Sequence, residues 1–171
     1  MKATDLRPQL ERLHEVSFAW ALYCCRNRSD EAEELLQDVY IRVLDGRARF
    51  EQRSSVKTWL FGVIRSTARE RARRRWLQFG LLERWRLREP EAAPAPDPEN
   101  LLQNSERNQH LRRALARLPR RQQEVLHLVF YQDLTVEETA QMLGISLGSA
   151  RTHFGRGKER LREFLKGDDW Q

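Results

Sequence analysis

Cysteine is almost missing from this chain of 171 residues, and the two present, Cys24 and Cys25, are neighbours. Adjacent thiols cannot build a disulfide framework, and no His or further Cys stands at metal-ligand spacing around them. They read as two small residues on a helix or as a vicinal redox pair. Glycine is sparse, at eight residues, and no Gly-rich phosphate loop is among them. The histidines, His14, His110, His127 and His153, are scattered over different segments. No Ser/His/Asp order or paired-carboxylate motif accompanies them, so neither enzyme chemistry nor a cofactor is expected. No apolar run reaches membrane-spanning length, and the N-terminus MKATDLRPQL lacks a signal-peptide core. The expectation is a soluble, cytoplasmic chain without a membrane span. Sustained period-two alternation with β-branched residues is missing too, as is any internal repeat at a fixed period.

What the chain has is positive charge and helical periodicity. Lys and Arg number 31 against 25 acidic residues, a net charge of +6. The excess is mostly Arg, whose planar fork grips phosphate and guanine with two bonds. Apolar residues recur at three- and four-residue steps from Leu6 to Cys25 (Leu10, Leu13, Val16, Ala19, Trp20, Tyr23), predicting one helix. Ser29 or Asp30 is expected to cap a second helix running to about Leu44, with Gly46 ending it. After a polar loop, Arg47 to Ser55, a third runs from Val56 to about Trp76 with Trp59, Leu60, Val63, Ile64 and Ala68 as its apolar residues. EPEAAPAPDPE, residues 89 to 99, is an extended, solvated linker by composition. Beyond it, Leu101 to Leu118 is expected to be helical, stopped by Pro119, which opens a further helix reaching about Tyr131.

The segment LTVEETAQMLGISLGSARTHFGRGK, Leu134 to Lys158, reads as helix, tight turn, helix. Thr135 with Glu138 forms a capping box, and Leu134 before it is a plausible staple. Gly144 sits where a left-handed residue closes a helix, Ile145 plugs the core, and Ser146 caps the next helix. That second helix carries Arg151, Thr152, His153, Arg156 and Lys158, side chains suited to base edges and phosphates in a major groove. An ordinary hairpin with a cationic solvent face has the same pattern. In the front half, Arg65, Arg69 and Arg73 follow at four-residue steps and make a stripe on one face. A loop and a helix-start Trp59 precede them, which suits the handling of an opened strand. Trp59 as a core residue and Trp59 as a stacking surface both stay open at this point.

Taken together, these segments resemble the bacterial extracytoplasmic-function (ECF, group IV) sigma factors of the sigma-70 family, over nearly the whole chain. EAEELLQDVYIRVL (Glu31 to Leu44) is similar to the family's polymerase-binding helix. SSVKTWLFGVIRSTARERARRR is similar to its promoter-melting and minus-10-reading segment. ALARLPRRQQEVLHLVFYQDLTVEETAQMLGISLGSARTHFGRGKERL resembles its minus-35-reading domain. The resemblance implies an all-α fold of two small helical domains joined by a Pro-rich acidic linker: 1–82 (region 2), 83–99 (linker) and 100–171 (region 4, a helix-turn-helix).

It implies as partners core RNA polymerase, through the β′ clamp helices and the β subunit, promoter DNA, and an anti-sigma factor. Glu34, Gln37, Asp38 and Arg42 would dock on polymerase. Arg53, Ser54, Ser55 and Lys57 would line a loop capturing a flipped minus-10 base, and Arg65, Arg69 and Arg73 would hold the backbone. Trp59 matches one aromatic of the tryptophan pair that helps melt promoters in primary sigma factors, whereas the next position is Leu60, so a stringent factor needing near-consensus promoters is expected. Arg151, Thr152 and Arg156 match the minus-35 recognition positions, with His153 beside them and Lys158 and Arg160 on phosphate. Gly155 stands where relatives often carry a larger residue, and with Gly157 it either permits close approach to DNA or softens the helix. The linker is a plain spacer or an acidic mimic along the RNA-exit path. A stand-alone helix-turn-helix regulator is the alternative; an Arg-rich recombinase or nuclease would need a metal site or nucleophile that the sequence does not display. No regulatory C-terminal domain is expected after Trp170.

Overall fold

A computed structural model describes residues 6–78 and 106–167. Among the described residues there are eight helices and no strand, as the all-α expectation requires. The chain divides into two compact units, Met1–Ala95 and Pro96–Gln171. The segment expected to be a linker lies outside the described residues.

The first unit contains α1 (Arg7–Arg12), α2 (His14–Cys24), α3 (Ser29–Leu44) and α4 (Val56–Gln78). The single helix expected from Leu6 to Cys25 is broken at Leu13, which leaves helical geometry at φ −93°, ψ 1°. Leu13 N–H still donates to Gln9, and Ser17 N–H to Leu13, so the axis is interrupted without unpaired backbone. After α2 the chain turns through Arg26 and Asn27, both at positive φ. Their N–H groups close on Tyr23 and Leu22, a Schellman-type ending that uses Arg where glycine is the easier choice. Neither Ser29 nor Asp30 is the cap of α3. Arg28 takes that position without a side-chain cap bond, and Asp30 and Glu31 fall in the first turn, where the helix dipole favours carboxylates. Arg28 instead ties the corner, donating to the Cys25 carbonyl and pairing with Glu31 at 2.6 Å.

Trp20 is the centre of this core. It is fully buried with Leu35, Val39, Leu60, Phe61 and Ile64, its indole N–H donates to the Phe61 carbonyl at 3.1 Å, and its ring stacks on Tyr23 and Phe61. Burial of each large side chain is worth about 1.5–3 kcal/mol, and a four-helix unit this small depends on few of them.

The second unit contains α5 (Glu106–Ala116), α6 (Arg120–Phe130), α7 (Val136–Leu143) and α8 (Leu147–Gly167). Pro119 stands one place earlier than expected, as the cap of α6, and Gln123 reaches back to the carbonyls of Ala116 and Leu118 to satisfy the end of α5. Both halves of the Thr135–Glu138 capping box are made, and Gly144 takes φ 65°. Ile145 N–H closes on Ala140 at 3.0 Å, and Ser146 Oγ accepts the Ser149 N–H at 3.1 Å. The helix-turn-helix is therefore built by the capping signals that predict it, whereas Ile145, expected to plug the core, is only half-buried. Small residues seat α8: Ala150 is fully buried, and a Cβ at Gly157 would stand 3.2 Å from Leu126 Cδ1 and 3.3 Å from Gln122 Cβ. Gly157 is thus a helix-packing residue, a role that neither reading of its sequence position anticipates. A Cβ at Gly155 would meet nothing within 4 Å.

Two stability tests follow from this packing. Gly155→Ala should stabilise the second unit by about 0.5–1 kcal/mol through helix propensity, whereas Gly157→Val should destabilise it by about 1–3 kcal/mol through overpacking. Equal shifts of the two variants in urea unfolding would contradict the seating described.

His127 is stacked on Tyr131 and faces the Gln132 amide through Nε2 at 3.4 Å. Burial pushes its pKa down from 6.5 to about 4, and the neutral ring keeps a lone pair to accept from that amide. The unfolded chain binds this proton near its ordinary pKa and the folded chain resists it. Stability is therefore full above about pH 6.5 and falls as pH drops towards 4, by up to roughly 3 kcal/mol at about 1.4 kcal/mol per unit. His127→Phe should flatten that slope in pH-dependent unfolding; an unchanged slope would assign the acid sensitivity elsewhere.

Candidate nucleic-acid interface

The expected DNA-reading side chains sit on a helix whose orientation is fixed from beneath. Ala150 and Gly157 face the core, so Arg151, Thr152 and Arg156 are directed outward and all three are exposed. Arg151 Nη2 donates to Glu137 Oε1 of α7 at 3.1 Å. The Glu137 carboxyl is held below the usual carboxylate range by its own backbone N–H and by Arg151. Thr152 spends its hydroxyl proton on the Gly148 carbonyl, which leaves its oxygen as an acceptor. Arg156 makes no ion pair among the described residues. His153 is half-buried. Lys158 Nζ lies 4.4 Å above the Phe154 ring, and Phe154 in turn packs against Phe130. This cation–π contact still leaves an ammonium at the surface.

In the first unit the arginine stripe is shorter than expected. Arg65 is buried at 7 % exposure, while Arg69 and Arg73 are exposed. The reason is Phe61, one turn earlier on the same face and fully buried: residues four apart share a face, so Arg65 follows Phe61 inward. Sequence reading missed Phe61 as a core residue and therefore misplaced Arg65.

Trp59 is half-buried, its ring 5.2 Å from Phe50 and tilted by 49°. Leu60, beside it, is fully buried. Of the loop residues, Ser55 caps α4, accepting the Thr58 N–H at 3.1 Å and bonding the Thr58 hydroxyl. Arg53 pairs with Glu51 at 3.2 Å, Ser54 donates to the Ser55 carbonyl, and Lys57 lies over the Phe61 ring. A pocket of about 390 Å³ opens nearby, lined by Arg42, Arg47, Ala48, Val63, Ser66, Thr67, Glu70 and Arg74. None of the four loop residues named from sequence lines it. Thr67 is fully buried, and its Oγ1 has no hydrogen-bond partner among the described residues.

The face expected to meet polymerase is tied internally to α4. Arg71 pairs with Glu34 at 2.8 Å and with Asp38 at 3.5 Å. Arg75 reaches Glu31 at 2.7 Å. Arg42 is drawn onto Glu70 at 2.7 Å, and Glu70, which Arg74 also contacts, is held below the usual carboxylate range chiefly by the Arg42 bond. Arg42 is thus mainly a tie between helices, and Gln37 is the exposed member of the expected set that no ion pair engages. Cys25 is buried, and desolvation raises its thiol pKa, which keeps it protonated. Among the described residues no helix is long and apolar enough to cross a membrane.

Comparison with known proteins yields two family matches, one within each compact unit. The model for sigma-70 region 2 matches residues 10–78, and that for sigma-70 region 4 matches residues 108–161. The chain is 28 % identical to the RNA polymerase sigma factor YlaC of Bacillus subtilis, over 95 % of this chain and 94 % of that protein. It is 30 % identical to the ECF RNA polymerase sigma factor SigX of the same organism, covering 90 % and 79 %. Against the sigma factor CarQ of Myxococcus xanthus the identity is 32 %, covering 78 % and 74 %. Among solved structures, the sigma factor RpoE of Bartonella quintana, in complex with the anti-sigma factor NepR, is similar with a TM-score of 0.70 at 26 % identity, covering 96 % of this chain and 98 % of that one. The fold is also that of CnrH, solved with the cytosolic domain of CnrY, at a TM-score of 0.64 and 20 % identity over 95 % and 88 % of the two chains.

Proposed function

The chain belongs to the ECF sigma factors of the sigma-70 family, and on that premise we propose how its two units divide the work of transcription initiation. The observation that carries the reading is the pairing of a region 2 match and a region 4 match on separate compact units. A stand-alone regulator needs only the second.

The second unit reads the minus-35 element. Arg151 and Arg156 offer their forks to base edges, each good bidentate contact worth about 1–3 kcal/mol of discrimination. Thr152 offers an acceptor, and His153 lies at the margin. Lys158 and Arg160 meet phosphate and supply salt-dependent affinity.

The first unit reads and opens the minus-10 element. Trp59, propped on Phe50, is the stacking surface, and the 390 Å³ pocket is the seat for an extruded base. The pocket has donors from Arg47 and Arg74 to meet a base's polar edge. Arg69 and Arg73 follow the backbone, and Arg53, Ser54 and Lys57 meet the strand from the loop and the start of α4. Because Leu60 is inside the core, no second wedge is available next to Trp59. Unstacking costs a few kcal/mol per step, so promoters near consensus are required.

Core polymerase binds across α3 through Gln37, with Glu34 and Asp38 held in place by Arg71. The work is binding and strand opening in the cytoplasm, with no covalent step. The likeness to RpoE, which is seen with an anti-sigma factor, supports control of the same kind.

Variants separate the two units. Gln37→Lys should weaken binding to core polymerase about tenfold without changing helicity, and it spares the Arg71 pairs that an Asp38 reversal would disturb. Arg156→Ala should relax minus-35 preference at one base position. Unchanged core affinity in the first, or an unchanged base preference in the second, would remove those residues from their assigned faces.

A further inference from the structure

The ion pair between Glu137 and Arg151 joins the two helices of the helix-turn-helix at the surface where DNA is read. Both side chains are largely exposed, at 57 % and 65 %, so the pair adds little to stability. Its chemical consequence is larger. A guanidinium has five N–H donors, and one of Arg151's is directed at Glu137. A two-pronged edge stays open, but the charge behind it is already matched by a carboxylate.

The other acidic residue at this helix start does not share the task. Glu138 is turned back onto the Thr135 N–H and hydroxyl in the capping box. Glu137 lies in the first turn of α7, where the positive end of the helix dipole favours the ionised form.

Resting on the reading of Arg151 as a DNA-facing residue, we propose that Glu137 sets the sequence discrimination of Arg151. It neutralises the guanidinium, so that Arg151 accepts a neutral base edge and disfavours phosphate. Guanine O6 and N7 are uncharged acceptors and can take the open edge while Glu137 keeps its bond. A phosphate that approaches the same guanidinium comes within a few ångströms of the Glu137 carboxylate and is repelled. The pair therefore withholds one cation from sequence-independent binding and leaves it available for readout. Glu137 is a positioning and charge-matching residue and need not touch DNA.

The test uses the full chain assembled with core RNA polymerase and two duplex probes. One carries the minus-35 sequence that this holoenzyme enriches from a randomised duplex pool; the other is the same duplex shuffled. Glu137→Gln should raise affinity for the shuffled duplex about threefold to tenfold and steepen its log–log salt slope by about 0.9, one added phosphate contact. Affinity for the enriched duplex should rise less, so the ratio falls. In an Arg151→Ala background the same substitution should leave the ratio unchanged. Glu159→Gln, which removes another exposed carboxylate from α8, should not reproduce the effect. An unchanged ratio in Glu137→Gln would overturn the proposal. So would an equal change with Arg151 absent or from Glu159→Gln, because the effect would then be bulk charge. If Arg151→Ala by itself alters binding to neither duplex, the DNA-facing reading of Arg151 fails first.

Discussion

The close approach of α8 to α6 at Gly157 is the contact on which the DNA-reading half depends. With only hydrogen at that position, the Leu126 and Gln122 side chains come to within little more than 3 Å of where a Cβ would stand. Ala150, two turns earlier, is buried in the same way. These two small residues fix the rotation of α8, and rotation decides which side chains leave the surface. Had α8 turned by one residue, Arg151 and Arg156 would no longer share an exposed face with Thr152. The glycine costs helix propensity, and the packing it permits offsets that cost.

The first unit solves a similar problem by different means. Its core is small and centred on Trp20, whose N–H finds the Phe61 carbonyl inside the protein. Around that core, α3 and α4 are held in register by opposite charges: Glu31 with Arg75, Glu34 and Asp38 with Arg71, and Arg42 with Glu70. Each such pair is worth up to about 1 kcal/mol. Their larger effect is on orientation, because the carboxylates proposed to meet polymerase are already placed by arginines of the helix proposed to meet DNA. A shift of α4 on opening a promoter would reach the polymerase face through Arg71.

Legibility in the sequence followed the range of the interactions. The hairpin was readable because its determinants are local: Thr135 with Glu138, Gly144 at positive φ, and Ser146 before its helix each act within a few residues. The helical class was readable from periodicity for the same reason. Phe61 was not, because it sits between Leu60 and an interior glycine with nothing local to assign its face, and the misplacement of Arg65 followed. The cap of α3 was also missed; the Arg28 side chain closes the corner on Glu31 and the Cys25 carbonyl, which left Ser29 inside the helix. The ion pairs between α3 and α4 join residues 28 to 44 positions apart by number, Arg42–Glu70 and Glu31–Arg75 among them, and one sequence holds no signal for them. The packing role of Gly157 lay beyond reach in the same sense, since Leu126 is on another helix.

The two units are proposed to act together on polymerase and promoter, and promoter-directed transcription is the measurement that requires both. Purified protein would be combined with bacterial core RNA polymerase and fragmented genomic DNA, and the transcripts sequenced from their 5′ ends. Discrete start sites that require the protein and share a pair of elements at a fixed spacing upstream are expected. Specific DNA binding by the protein, with neither core binding nor any protein-dependent transcript, would contradict that joint action and leave the helix-turn-helix as that of a stand-alone regulator.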